Sequence, residues 1–202
     1  MKNKLTILYI MVAVSTASAL LLTAVNELSR DVIMRNQERK LKSAVLDVLD
    51  ISYDGKNPES SFNTNVIIKK IGDETIYLSK GQTVEDKSID GIALILKGPG
   101  FWGPISMIIG INPGDFSIKG IEILEEQETP GLGARIEEAE FRDQFKGKYF
   151  NKKIVIQIKG KAPGPNDVSA ITGASLTSKS FENIINKASR KLVEQITELT
   201  DG

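Results

Sequence analysis

The feature that most constrains this chain is an uncharged apolar run from Leu5 to Val25. As an α-helix the run reaches about 30 Å, roughly the thickness of the hydrocarbon core of a bilayer. A cleaved signal peptide is the alternative, since residues 17–19, Ala-Ser-Ala, resemble a cleavage site. The apolar run continues past that site and is longer than the apolar region of a usual signal peptide. We therefore predict a retained transmembrane anchor over residues 1–26.

The charges on either side of the run give only a weak indication of its orientation. Lys2 and Lys4 favour an N-terminus in the cytoplasm. Three acidic residues partly offset the basic residues that follow the run. These basic residues are Arg30, Arg35, Arg39, Lys40 and Lys42. We expect a single-pass membrane protein with its soluble domain on the extracytoplasmic side.

The composition excludes several kinds of chemistry. The chain contains no cysteine and no histidine, which excludes disulfides, thiolate catalysis, iron–sulfur clusters and histidine-dependent triads or metal sites. Its formal net charge is zero, so nothing indicates a nucleic-acid partner. The acidic run Glu122, Glu125, Glu126 and Glu128 is irregularly spaced, and we interpret it as a solvated face and not as a metal site. We expect no self-contained catalytic residue, so redox chemistry would need a bound cofactor.

The remaining pattern predicts one α+β domain, with an antiparallel sheet and flanking helices, over residues 59–202. Residues 27–58 are expected to form a connecting helix and loop, because apolar residues recur at helical spacing from Glu27 to Asp50. Short segments rich in β-branched residues predict the strands. We expect strands at 66–68, 75–78, 89–96, 105–111, 118–124 and 154–158, helices at 135–145 and 179–199, and loops at 98–104 and 161–166.

The segment from Thr172 to Ser178 is a small-residue turn placed before a predicted amphipathic helix. Gly173 and Ala174 allow the backbone to approach a ligand closely, and Thr177 or Ser178 can cap the helix. A phosphate at this position would gain the free amides and the positive end of the helix dipole. Taken alone, the segment fits an ordinary helix cap at least as well.

The segment resembles the flavinylation motif of the G subunit of Rnf complexes and of the C subunit of the sodium-translocating NADH:quinone oxidoreductase. In those families a Ser/Thr-Gly-Ala-Thr/Ser motif, followed one residue later by Thr and Ser, carries FMN through a phosphoester that a flavin transferase installs. The resemblance implies that Ser175 is the acceptor. It also implies that the residues around the acceptor bind the cofactor: Thr172, Gly173, Ala174, Leu176, Thr177 and Ser178.

Two positions differ from the pattern of these families. The acceptor is usually threonine, and the primary hydroxyl of Ser175 can form the same phosphoester. An aspartate usually lies three residues before the first Ser/Thr, where this chain has Ser169. That difference leaves Thr177 as a second candidate acceptor.

A second segment, Glu128-Thr129-Pro130-Gly131-Leu132-Gly133, resembles the other hallmark of the same families. Leu132 of such a loop can pack against a flat ring, while Thr129 and backbone amides meet the polar edge of that ring. An ordinary tight turn is the alternative for this segment on its own. Trp102, beside Phe101, is a further candidate for stacking on the flavin, and core packing is its equal alternative.

The resemblance implies an electron-transfer subunit of a redox-driven, ion-translocating complex of the bacterial or archaeal cytoplasmic (inner) membrane, with covalent FMN as its cofactor. Its partners would be the other subunits of the complex, the membrane, and a flavin transferase during maturation. The short chain and the segment from Gly98 to Pro104 favour the Rnf type, with the quinone-reductase type as the alternative. Two further alternatives belong to other classes: an anchored module that binds FMN without a covalent bond, and a structural protein needed only for assembly.

Overall fold

The computed structural model describes residues 2–55, 57–72, 74–80, 89–158 and 164–201. The chain divides into two compact units, Met1–Lys40 and Leu41–Gly202. The predicted division at residues 26 and 58 stays a prediction. Residues 161–163 of the predicted loop at 161–166 lie outside the described residues.

Helix α1 (Lys2–Val48) accounts for the first unit. Within the described residues it is the one helix that is long and apolar enough to cross a membrane, and its most apolar window is not buried within the structure. The hydroxyls of Thr16 and Thr23 each donate to the carbonyl four residues before them, at 2.8 Å. These bonds satisfy both hydroxyls within the helix, as an apolar environment requires. The predicted N-terminal apolar helix is confirmed.

The second unit is built on a five-stranded sheet in which each strand pairs with the next along the chain. The strands are β1 (Val66–Ile71), β2 (Glu74–Lys80), β3 (Ile89–Pro99), β4 (Pro104–Ile111) and β5 (Ile118–Glu125). Every pairing is antiparallel. Isoleucine-rich, β-branched segments suit a pleated surface that is buried on both sides. The predicted antiparallel sheet is confirmed.

Both faces of the sheet are covered by helices. Leu94 and Ile109 belong to the core shared with α4 (Ser175–Asp201). Their sequence neighbours Ala93 and Ile108 point to the other face and pack with Val45 near the end of α1. This alternation follows from the two-residue period of a strand. The sequence pattern did not predict α2 (Pro58–Asn65), which also lies on the second face through Phe62.

The segment after the sheet is more irregular than the pattern indicated. The single helix predicted at 135–145 is wrong, because two 3₁₀ turns (Gly133–Glu137 and Asp143–Phe145) flank a single turn of helix α3 (Ala139–Arg142). Strand β6 (Val155–Gln157) pairs in parallel with β7 (Asp167–Ser169), a short strand that was not predicted. The predicted loop at 98–104 is shorter than expected, since β3 includes Pro99 and β4 begins at Pro104.

Two buried polar side chains and one half-buried polar side chain hold α4 in position. Glu182 accepts a hydrogen bond from the amide of Ile156 at 2.7 Å. Asn186 bonds both the amide and the carbonyl of Ile154, and Ser189 donates to the carbonyl of Phe150. Spacings of four and three residues place these side chains on one face of the helix. The N-terminus of α4 is therefore attached to a rigid framework.

Candidate functional site

The predicted motif turn leads directly into α4. Gly173 has a φ of +83°, a conformation that glycine adopts without strain. The amide of Ser178 donates to the carbonyl of Ala174 at 3.0 Å, which makes Ala174 the N-cap of the helix. The amides of residues 175–177 therefore have no carbonyl partner within the helix. This is the arrangement of an anion-binding helix terminus.

The hydroxyls of the motif differ sharply in their surroundings. Ser175 is half-buried, and Thr172 and Gly173 before it are exposed. Thr177 is only 3% exposed, and its hydroxyl donates to Oε2 of Glu128 at 2.7 Å. Ser178 is fully buried, and its Oγ accepts from the amide of Ile171 at 3.1 Å. The last two hydroxyls are engaged in the fold, whereas Ser175 lies at the surface of the terminus.

The second motif forms a tight loop beside this terminus. The carbonyl of Thr129 accepts hydrogen bonds from the amides of Leu132, at 3.1 Å, and Ala134, at 3.2 Å. Gly131 has a φ of +73°, and the side chains of Thr129 and Leu132 are exposed. A Cβ at Gly173 would lie 3.1 Å from Cδ2 of Leu132. The structure therefore brings the two predicted motifs into contact.

Glu128 joins three segments of the site. It is 5% exposed, and its Oε1 accepts the amides of Phe101, at 2.7 Å, and Trp102, at 3.1 Å. Its Oε2 accepts the hydroxyl of Thr177. The interpretation of Glu128 as part of a solvated acidic face is wrong, because the surrounding donors replace the water that it loses. Of the other acidic residues in that run, Glu125 is exposed, and Glu122 and Glu126 are half-buried.

The hairpin between β3 and β4 presents two aromatic rings at the surface. Phe101 is 50% exposed and Trp102 is 69% exposed, and their rings meet edge to face at 5.2 Å. The amide of Gly100 donates to the carbonyl of Gly103 at 2.8 Å, which closes the tip. Core packing of these rings is therefore wrong. Stacking of Trp102 on a flavin stays a prediction.

A cleft of about 240 Å³ borders Thr172 and includes residues that the sequence analysis missed. Arg135 and Gln144 line it together with Ser169. The amide of Ser169 donates to Oε1 of Gln144 at 2.8 Å, across 25 positions of sequence. No local spacing relates these residues, so the sequence contains no signal for them. Among the described residues no cluster of carboxylates could hold a metal ion.

Residues 100–190 match the family described as the FMN-binding domain, and the matched residues include the hairpin tip, strand β4, both motifs and most of α4. Residues 100–190 of the chain thus resemble an FMN-binding domain. That match supports FMN as the cofactor. The half-exposed Ser175, the free amides and the exposed leucines are compatible with a phosphate and a ring at this site.

Relatives of two kinds resemble the chain. The G subunit of the proton-translocating ferredoxin:NAD⁺ oxidoreductase complex of Clostridium ljungdahlii is 34% identical over 103 residues, 51% of each chain. The C subunit of the Na⁺-translocating NADH-quinone reductase of Neisseria meningitidis is 36% identical over 113 residues, 53% of this chain and 42% of the relative. The chain spans about half the length of such relatives. The resemblance to these two families is confirmed.

The fold also occurs in a solved structure. The crystal structure of the C subunit of the Na⁺-translocating NADH-quinone reductase from Parabacteroides distasonis superposes with a TM-score of 0.70. The match covers 83% of this chain and 96% of that chain, at 21% identity. The predicted α+β fold is confirmed.

Proposed function

We propose that this chain is a membrane-anchored electron-transfer subunit that carries FMN as a phosphoester on Ser175. The complex would be a ferredoxin/NAD(H) oxidoreductase of Rnf type that translocates ions, with the soluble domain outside the cytoplasm. One observation supports the proposal above all others. Ser175 is the half-exposed first residue of a 27-residue helix whose N-terminal amides can bind a phosphate.

The choice of Ser175 over Thr177 follows from exposure and hydrogen bonding. A transferase must reach the oxygen that it modifies, and Thr177 is buried with its hydroxyl donating a hydrogen bond to Glu128. Modifying Thr177 would break that bond and leave the carboxylate of Glu128 without one of its donors. Ser175 has neither constraint, so the second candidate acceptor is the less favourable one.

The attachment step involves no change in oxidation state. The donor would be an activated flavin nucleotide, in which the flavin phosphate carries a leaving group. The bond from Oγ of Ser175 to phosphorus forms, the bond from phosphorus to the leaving group breaks, and a base of the transferase takes the hydroxyl proton. The resulting phosphate diester keeps a negative charge, which the amides of residues 175–177 and the helix dipole stabilise.

The residues around Ser175 suit a tethered electron carrier. FMN, when bound, supplies one- and two-electron redox chemistry. Leu132 is 45% exposed and Leu176 is 59% exposed, so both can cover the apolar faces of a ring. A site this open lets a redox partner approach the cofactor closely. The covalent bond keeps the cofactor in place where lost FMN is not readily replaced.

The C subunit of a quinone reductase is the second candidate, because the relatives of both kinds match this chain at similar identity. The two differ in the electron donor and acceptor of the whole complex. Purification of the chain with its partner subunits from the native membrane tests the choice. Oxidation of reduced ferredoxin by NAD⁺ supports the Rnf type, and reduction of quinone by NADH supports the alternative.

The test of the tether is fluorescence after denaturing electrophoresis. The full chain is co-expressed with a flavin transferase, and we expect a fluorescent band that is lost in Ser175→Ala. Ser180→Ala, on the next turn of the same helix and outside the motif, is the matched control that keeps the band. A band that persists in Ser175→Ala and disappears in Thr177→Val would move the tether to Thr177. A wild-type chain without fluorescence would rule out covalent attachment.

A further inference from the structure

We propose that Glu128 is the positioning residue of the flavin site, a role that rests on the proposed function. Through Oε1 its carboxylate holds the hairpin tip with Phe101 and Trp102, and through Oε2 it holds Thr177 in the first turn of α4. Glu128 thereby sets the position of the aromatic tip relative to Ser175. It acts through these groups and not on the flavin itself.

The carboxylate of Glu128 lies between two glycines, and neither position has room for a side chain. A Cβ on Gly133 would lie 2.7 Å from both Oε2 of Glu128 and Oγ1 of Thr177. A Cβ on Gly100 would overlap Oε1 of Glu128 and the carbonyl of Gly103. Both glycines therefore form a space that fits the carboxylate, in addition to shaping their own turns.

The hydrogen bonds of Glu128 join residues that are far apart in the sequence. The bond from Thr177 crosses 49 positions, and those from Phe101 and Trp102 cross 27 and 26. These three hydrogen bonds let a single side chain, that of Glu128, link the tip to the start of α4. A carboxylate is suited to this task because its two oxygens accept several hydrogen bonds at once, and bonds to a charged acceptor are the strong ones.

The rings of Phe101 and Trp102 depend for their position on the hydrogen bonds to Glu128. Phe101 and Trp102 are half-exposed or more, so core packing restrains them little. The hydrogen bonds from their backbone amides to Oε1 connect the hairpin tip to Glu128, and through Glu128 to Thr177 of α4. When Thr177 no longer bonds Oε2, the tip and the helix lose their shared partner. We expect the tip to move relative to Ser175 while the fold persists.

Trp102 is the single tryptophan of the chain, so its fluorescence reports the tip without interference from another indole. The full chain with flavin attached is compared with Glu128→Ala and Thr177→Val, and the fluorescence decay of Trp102 is recorded. We expect the fraction of Trp102 that the flavin does not quench to rise about tenfold in Thr177→Val, the equilibrium change for one lost charge-assisted hydrogen bond. The rise should be larger in Glu128→Ala, which removes all three hydrogen bonds. Thr177→Ser retains the hydroxyl and should return the fraction to the wild-type value.

Glu182→Gln is the matched control, because Glu182 is an equally buried carboxylate of the same domain that bonds the amide of Ile156 and not the tip. It should lower the melting temperature and leave the decay of Trp102 unchanged. A variant that does not take up flavin is measured by the anisotropy of Trp102 alone, which we expect to fall when the tip is released.

The outcomes separate this inference from the function on which it rests. A flavin-bearing wild type whose decay is unchanged in Glu128→Ala and Thr177→Val would overturn the positioning role alone. An equal change in Glu182→Gln would also overturn it, because general destabilisation would then explain the effect. A wild-type chain without any bound flavin would overturn the proposed function and the positioning role together.

Discussion

The carbonyl oxygen of Val48 occupies the space that a Cβ would take on Gly110. Val48 is the last residue of α1, and Gly110 is the penultimate residue of β4, an inner strand of the sheet. The absence of a side chain at Gly110 lets the helix backbone approach the sheet directly. Val45 and Ile108 then pack in the same buried cluster on this face.

Gly110→Ala should destabilise the second unit, because the atom that the new methyl meets is backbone and cannot rotate away. We expect the free energy of unfolding to fall by about 3 kcal/mol, at the upper end of the range for overpacked cores. Urea unfolding of the full chain in detergent measures the change. Gly114→Ala is the control, since the nearest atom to its Cβ lies at an ordinary 3.5 Å. Equal stability of both variants would contradict the close approach.

Gly173→Ala should disturb the motif turn, because an alanine at a φ of +83° is strained and its Cβ meets Leu132 at 3.1 Å. The left-handed conformation costs a non-glycine residue about 1–2 kcal/mol. We expect a loss of stability of that size and a smaller flavin-bearing fraction, measured by urea unfolding and by in-gel fluorescence. Gly55→Ala, which has open space around its Cβ, should leave both unchanged. A fully modified and fully stable Gly173→Ala would refute the strain argument.

Leu132→Ser and Leu176→Ser should separate cofactor contact from folding. Both leucines are largely exposed, so we expect stability within about 0.5 kcal/mol of wild type. If these side chains cover the flavin, their loss increases quenching of the flavin by iodide and shifts its reduction potential. Ile68→Ser, a comparably exposed change on β1, is the control. Identical quenching in all three variants would show that the leucines do not touch the ring.

The alkaline limit of stability should depend on Tyr77. Burial raises the pKa of Tyr77 above the ordinary value of 10.0, because its environment disfavours the charged phenolate. The folded state thus holds this proton more tightly than the unfolded chain. Its stabilising effect is complete below pH 10 and is lost as the pH rises through the raised pKa. The slope contributed by one group cannot exceed about 1.4 kcal/mol per pH unit.

Tyr77→Phe keeps the ring that packs edge to face on Phe62 and removes the titrating group. Urea unfolding at increasing pH should therefore show a shallower loss of stability in this variant above pH 10. A residual slope is expected, because desolvation also raises the pKa of Tyr53. Parallel curves for variant and wild type would show that Tyr77 does not limit alkaline stability.

The elements that the sequence predicted are those with a strong local signal. The strand from Ile105 to Ile111 and the helix that contains Ile184 and Leu192 have regular apolar patterns, and both are present. Weak local signals led to errors. The region 135–145 has helix-forming residues, but its backbone forms short turns. In this conformation Phe141 and Phe145 pack on Phe181 of α4.

The site was predictable as two motifs and not as one arrangement. Gly131 and Gly173 adopt positive φ, a conformation of tight turns that glycine reaches without strain. The role of Glu128 was not predictable in the same way. Glu128 begins the second motif, but nothing in the sequence indicates hydrogen-bond partners that lie 26, 27 and 49 positions away.

The sequence by itself determined the apolar N-terminal helix, the antiparallel strands and the two motif turns, because periodicity, glycine and helix caps act over a few residues. Only the tertiary structure decided that Thr177 is buried on Glu128 while Ser175 stays accessible at the start of the same helix. The reason is physical: burial of a hydroxyl depends on which distant donors and acceptors the folded chain brings to it. Spacing along the chain does not record those partners.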